Sequence, residues 1–544
     1  MKPVYWLTII IVLASVLRLY NLANNPPATY GDEISFAWNA WSILKTGTDQ
    51  YGTPFPLQFR AFEDYKAPIP VYLLTPLFAI FGMHTFILRL PVALAGVATV
   101  WVTYALVKKL FQNSKTSEMT ERIALLSAFL LAISPWHIHL SRGYFEATLA
   151  LLPFLLGIYF FLKGLEQEKY FYVSSLAFAV SLYTYFTPRI ILPIFLPFLY
   201  WYFRKQLPKN KRTFVLSIVL LVVLTMPLVK LSLFDHGGNR MEYLIQSRMQ
   251  KSAEEATTQL AHANEPLVLK KLLHNRYEIF LAKIGNDYLE HFSFNYWYIY
   301  GDNSLRYFLG TRGMFYRIEL PFLLIGLFSL FLRNRRISLF LVVYLLIMPI
   351  PTALVGKSFA VRSLAMLPIP FIFVSYGMLT VFTLVKKYRW RRLLLALVVV
   401  GFSASLLNYI IRYHLDYVSY GATWWGWENK AAIDYARARE NQYDQIFISN
   451  FYSGVDLAYA YYTRFDPLTY REAVNHPVVV ADNRHEIKLG KYYFGSLDLD
   501  AQRLQMHVIP PRTLYIGRPE EPDGQASITA PDDGRILFKI HTTQ

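Results

Sequence analysis

Eleven apolar runs of about spanning length recur along these 544 residues, and short basic runs fall between them. They cover about 4–23, 86–107, 123–140, 147–162, 170–187, 190–203, 213–231, 319–332, 338–355, 364–385 and 393–411. So much apolar length is stable in lipid, where backbone polar groups must be satisfied within a helix or a closed barrel. Runs of this length predict helices. The basic runs are Lys108-Lys109 with Lys115 and Arg122, Lys163 with Lys169, Arg204-Lys205 with Lys209, Lys211 and Arg212, Arg333 to Arg336, and Lys386-Lys387 with Arg389, Arg391 and Arg392. With the N-terminus inside, eleven spans put all five on the cytoplasmic side, the side where Lys and Arg accumulate. The first run, Val4 to Ala23, has no small-residue cleavage site after it and reads as a retained helix.

Composition supports a multi-span membrane protein: 54% of residues are hydrophobic, 17% are charged, and mean hydropathy is +0.28. The net charge of +17 lies mostly in the basic runs, so it reads as loop topology and not as a nucleic-acid surface. There is no cysteine, which excludes disulfides, a thiolate nucleophile and Cys-ligated metal.

Ile69 to Gly82 is apolar but short and contains Pro70 and Pro76. Counted as a span it would invert every later loop, so it reads as a juxtamembrane helix at the outer interface. The expected organisation is a transmembrane domain, residues 1–411, with large outer loops at about 24–85 and 232–318. Residues 412–544 then form a separate soluble α/β domain outside the cytoplasm. It opens on Trp424-Trp425 and Trp427, suited to a headgroup belt. Helices are expected over Asn429 to Glu440 and Asp456 to Thr463, and strands over Gln445 to Ser449, Val478 to Ala481, Thr513 to Ile516 and Arg535 to Ile540.

Asp32-Glu33 follows the first span and leads into a short helix, Ile34 to Leu44, that Gly47 ends. Carboxylates at membrane level are costly unless solvated or paired, which makes them functional candidates. The same loop brings Phe62-Glu63-Asp64-Tyr65-Lys66-Ala67-Pro68. Three later outer helix ends each carry an arginine: Arg142 in Ser134 to Glu146, Arg189 after Tyr183 to Pro188, and Arg362 after Lys357-Ser358. Taken singly, each arginine is also compatible with a snorkelling anchor. His137 and His139 are two apart, poor helical spacing for joint metal binding, and read as interfacial polar anchors. Glu146 lies four residues after Arg142, so the two can also form a local salt bridge. Gly301-Asp302-Asn303 reads as a turn. The chemistry this set can do is specific. A carboxylate can take a proton from an attacking hydroxyl, and Arg and Lys can hold a phosphate as it leaves. Outward-facing chemistry lacks cytosolic nucleotide-sugars, and a lipid-linked donor supplies the need.

The order of Asp32-Glu33, Tyr65-Lys66-Ala67-Pro68, Gly82 and Arg89-Leu90-Pro91 resembles the GT-C membrane glycosyltransferases. The nearest group is the protein O-mannosyltransferase and aminoarabinose transferase superfamily, glycosyltransferase family 39 and relatives. Ser134-Pro135 with Ser141-Arg142 and Glu146, and Tyr185 to Arg189, resemble further family segments. The likeness covers roughly the first 200 residues; later it rests on topology and on Phe292 to Tyr316. It implies a GT-C fold and an inverting transfer from a polyprenyl-phosphate sugar to a protein or lipid acceptor on the outer face of the plasma membrane. Asp32 would be the general base, and Glu33 would support it or hold the acceptor. Lys66, Arg142, Arg189 and Arg362 would bind the donor phosphate; Tyr65, Glu146, His137 and Tyr185 are further site candidates. The family's Lys-Pro-Pro is Lys66-Ala67-Pro68 here, a local departure. No cofactor is implied; some other GT-C enzymes use a divalent metal, and no metal ligand set stands out. The partners implied are the donor, the acceptor and the bilayer, with no nucleic acid. A lipid or solute transporter and an oligosaccharyltransferase-like enzyme are the alternatives. Against the transporter, Lys and Arg lie mainly at span ends and no inverted repeat is evident.

Overall fold

The computed structural model describes residues 2–62, 64–112, 116–234, 239–262, 266, 268–270, 274–356, 359–480, 484–500 and 509–543. Glu63, Lys115, Lys357, Ser358 and Ala481, named above, lie outside them. The chain divides into two compact units. One comprises Met1–Tyr20, Asp64–Ile69 and Val92–Tyr409; the other comprises Asn21–Glu63, Pro70–Pro91 and Ile410–Gln544. The late division falls between Tyr409 and Ile410, where the sequence reading puts its boundary at 411/412. The second unit also takes in most of the first outer loop.

The first unit is helical. Six helices among the described residues are long and apolar enough to cross a membrane: Thr85–Phe111, Glu146–Gly164, Arg212–Leu231, Arg335–Val355, Leu364–Leu384 and Tyr388–Tyr420. Pro3–Leu19 and Tyr170–Thr184 are shorter apolar helices. Where the sequence predicts one run over 123–140, the helix Ser117–Ile133 stops and a short one, Pro135–Leu140, begins. Ser134 causes the break: its side chain accepts from the His137 N–H, and Pro135 occupies the first helical position. The helices Glu319–Arg333 and Ile369–Leu384 cross at two glycines. A Cβ on Gly326 would sit 1.8 Å from the Phe373 carbonyl oxygen, and one on Gly377 would sit 1.9 Å from that of Phe322. Small residues let backbones approach in lipid, where packing and not the hydrophobic effect joins helices.

Two short strands, β1 (Phe59–Ala61) and β2 (Asp64–Lys66), fall in the second and first unit respectively. The second unit opens with the helix Gly31–Thr46, which Gly47 ends in the left-handed conformation (φ 72°), its N–H bonded to the Ile43 carbonyl. The segment read as a juxtamembrane helix is helical over Pro68–Phe81. Seven further strands, β3 (Gln445–Ile448), β4 (Val478–Val480), β5 (Arg484–Leu489), β6 (Tyr492–Phe494), β7 (Thr513–Gly517), β8 (Ala526–Thr529) and β9 (Ile536–Thr542), form one sheet in the order β4-β5-β6-β3-β7-β9-β8. The centre, β6-β3-β7, is parallel and the flanks are antiparallel. Every residue of β7 is buried, as expected for a strand covered on both faces. Phe447, Leu497, Leu499, Ile509 and Tyr515 form a core on this sheet. The α/β expectation holds, but β5, β6 and β8 and the helix Pro467–Asn475 were not read from the sequence. Trp425 is fully buried, not in a headgroup belt; of the trio, Trp424 is the exposed one.

Candidate active site

In the second unit, the helix Gly31–Thr46 starts one turn earlier than expected, so both acids sit in its first turn. There the helix dipole and the open N–H groups favour negative charge. The two acids differ sharply in surroundings. Asp32 is half-buried, whereas Glu33 is fully buried. Arg89 grips Glu33 with two parallel bonds, Nε to Oε1 at 2.9 Å and Nη2 to Oε2 at 2.9 Å. Its remaining donors go to the carbonyls of Leu22 (3.2 Å), Pro26 (2.9 Å) and Ala28. The guanidinium also lies 5.5 Å from the Trp425 ring, and Tyr30 meets Trp425 edge-on at 5.2 Å. A buried ion pair holds only when its geometry is good and its other polar groups are satisfied; here Arg89 meets both conditions. Glu33 is thereby held in a buried ion pair, and Asp32 is the more accessible of the two acids.

In the first unit, Lys66 is buried at the end of β2, with Tyr65 half-buried before it. Arg142 is fully buried, and its guanidinium donates to the carbonyls of Leu17 (3.0 Å), Arg18 (3.1 Å) and Tyr20 (2.7 Å). It caps the C-terminal turn of the first helix, a favourable place for a cation. His137 and His139 are also fully buried, which corrects their reading as interfacial anchors. Arg18 donates to His137 Nδ1 at 2.7 Å, and His139 Nε2 lies 3.0 Å from the Arg306 carbonyl. Asp302, in the expected turn, accepts from the N–H groups of Ser304 and Ala360, both at 2.8 Å. It thereby ties the segment 301–304 to the Phe359–Arg362 helix.

Four of the expected residues come together in this unit. Tyr185 and Arg362 line one narrow cavity with Thr187 and Pro188. Tyr185 feels the charges of Arg362 and Glu146, and Arg189 feels that of Glu146. Arg189 is half-buried, lies 4.1 Å from the Phe186 ring and donates to the Leu182 carbonyl at 3.1 Å. Arg362 donates Nη1 to the Gly356 carbonyl at 2.8 Å. The cluster therefore offers two cations and a carboxylate, with Glu146 and Arg189 in the first turns of their helices and Arg362 at the end of Phe359–Arg362. The first unit gathers Glu146, Tyr185, Arg189 and Arg362, while Arg142 and His137 belong to the bracing around Arg18. Among the described residues no group of three or more His, Cys, Asp or Glu side chains could hold a metal ion.

Arg18 and Arg89 are the residues whose roles the sequence reading missed. Each is a lone arginine inside an apolar run, a signal for a buried partner.

This arrangement of helices, with a sheet near the C-terminus, is the GT-C fold of membrane glycosyltransferases. Residues 65–229 match the family described as dolichyl-phosphate-mannose-protein mannosyltransferase. A stretch of 167 residues is 29% identical to YycA of Bacillus subtilis (strain 168), which carries the provisional name of a mannosyltransferase. That match takes in 30% of this chain and only 23% of YycA. The crystal structure of ArnT from Cupriavidus metallidurans in the apo state is similar over 99% of this chain and 98% of its own, with TM-score 0.53 and 13% identity. The same protein bound to undecaprenyl phosphate gives TM-score 0.52 at 13% identity, over 98% of each chain. The Archaeoglobus fulgidus oligosaccharyltransferase tethered to an acceptor peptide gives 0.51 at 14% identity, over 84% of this chain and 63% of that one.

Proposed function

We propose that this protein is a membrane glycosyltransferase that moves a sugar from a polyprenyl-phosphate donor to a protein or lipid acceptor. The observation that carries the reading is the division of labour between the acids. Arg89 binds both oxygens of Glu33, while Asp32 stays half-exposed in the same helical turn. The family match over residues 65–229 and the fold shared with ArnT support the donor class.

In the proposed reaction the Asp32 carboxylate takes the proton of the acceptor hydroxyl. The hydroxyl oxygen bonds to the anomeric carbon, the bond from that carbon to the phosphate oxygen breaks, and configuration inverts. The electron pair leaves with the polyprenyl phosphate. Lys66, Arg189 and Arg362 hold that phosphate and stabilise its growing charge. Arg142, whose guanidinium already serves three carbonyls, supports this region through the first helix. Glu146 and Tyr185 orient the cations. By the positive-inside rule, the N-terminus and basic runs face the cytoplasm and transfer occurs on the outer face of the plasma membrane.

The test is a reconstituted assay with a panel of radiolabelled polyprenyl-phosphate sugars, read as released polyprenyl phosphate. Folded protein that turns over no donor overturns the reading. A second reading, transfer of a preassembled glycan, draws on the fold shared with the archaeal oligosaccharyltransferase. It predicts activity only with lipid-linked oligosaccharide and an Asn-containing peptide, and loss of activity on chelation.

A further inference from the structure

We propose a binding groove for an anionic phospholipid, within the helical unit and independent of the transfer reaction. The helices Ser117–Ile133, Ile369–Leu384 and Tyr388–Ile411 enclose a groove of about 620 Å³. That is within the range of ligand-sized cavities, about 300–1,000 Å³. Its walls are aliphatic and aromatic along most of their length. Among the described residues that line it, the charged ones are Arg122, Arg391 and Arg392, and none is an acid.

The three arginines gather at one end. Arg122 is in the second turn of its helix, and Arg391 and Arg392 are the fourth and fifth residues of theirs, next to the Lys386-Lys387 run. From Arg391 to Leu406 the wall runs along one helix for roughly 22 Å at 1.5 Å per residue. The hydrocarbon of one leaflet is about 15 Å thick, so one lipid chain fits lengthwise with its headgroup among the arginines. Arg122 is partly engaged, pairing with Glu118 at 2.5 Å. Among the described residues Arg391 and Arg392 have no acidic partner, and Arg392 lies 4.3 Å from the Tyr388 ring. Single snorkelling arginines need no groove. Three of them ringing one mouth, with Leu395 and Val399 more than half exposed inside it, describe a seat for a phosphate and its tail. The occupant is a phospholipid of the leaflet on the basic-loop side, recognised by charge at the head and fit along one chain.

The experiment is native mass spectrometry of the full chain after equilibration with equimolar phosphatidylglycerol and phosphatidylcholine. Wild type is expected to retain phosphatidylglycerol preferentially through delipidation. Arg391→Gln and Arg392→Gln should each cut that preference about fivefold. Val399→Trp should evict the lipid while leaving the arginines in place, and Lys205→Gln, in a different basic run, should change nothing. Equal retention of both lipids by wild type, or unchanged preference in Arg391→Gln and Arg392→Gln variants that melt like wild type, overturns the proposal. Should Val399→Trp misfold, the two arginine variants decide alone.

Discussion

Glu33 and Arg89, 56 positions apart in sequence, form a two-pronged ion pair at 2.9 Å with neither side chain exposed. Removing one partner of such a pair strands the other charge in a dry site. Arg89→Met should destabilise the protein by about 3–5 kcal/mol, read as a lowered thermal midpoint in detergent. Arg89→Lys should recover only part of it, because an ammonium cannot make the fork. A midpoint unchanged in Arg89→Met would deny the pair its structural role.

Asp32 should behave in the opposite way. Asp32→Asn is expected to fold and melt like wild type yet lose transfer by about 10²–10⁴-fold, the usual worth of a general base. Wild-type turnover in that variant would remove Asp32 from the chemistry.

The cations should split by what their side chains already hold. Arg142→Gln is expected to lower the melting point, since three carbonyls at the end of the first helix lose their donors. Arg362→Gln, which loses one bond to the Gly356 carbonyl, should lower the melting point less than Arg142→Gln does and raise the donor KM, because part of that side chain is exposed. Kinetics and melting measured on the same two preparations separate the roles. A shared kinetic loss without destabilisation in Arg142→Gln would return that residue to the donor site.

Gly377 should tolerate no side chain. With the Phe322 carbonyl oxygen 1.9 Å from where its Cβ would stand, Gly377→Ala must push two helices apart. The expected cost is about 1–3 kcal/mol, visible as a lower melting point. Gly285→Ala, with open space around its position inside the helix Arg276–Glu290, is the control and should hold or slightly raise the melting point.

The sheet carries a pH dependence. Burial pushes the Glu486 carboxyl up to about 7, above its ordinary 4.5. The folded state then holds the proton more tightly than the unfolded chain. Its stabilising effect is full below about 4.5, declines as pH rises, and is gone above about 7. His541, held neutral by burial, works in the other direction as pH falls, so the comparison must be internal. Glu486→Gln should flatten the fall in melting point between pH 5 and pH 7 relative to wild type. Parallel curves for the two proteins would show that Glu486 does not titrate in that window.

What the sequence alone determined was local. Apolar length marked the helices, Ser134-Pro135 carried the cap that splits one of them, and Gly47 marked the end of the helix that starts at the acids. Each such signal acts within a turn or two of chain, where hydrogen bonding and backbone geometry are set by near neighbours. The tertiary structure alone decided which acid is held and which is accessible, because that depends on Arg89 returning from 56 residues away. It also decided that Arg142 braces a helix end, that both histidines and Trp425 lie inside, and that β6 takes its place beside β3. Those outcomes rest on contacts between distant segments, where the free energy depends on what the returning chain buries and not on the residues on either side.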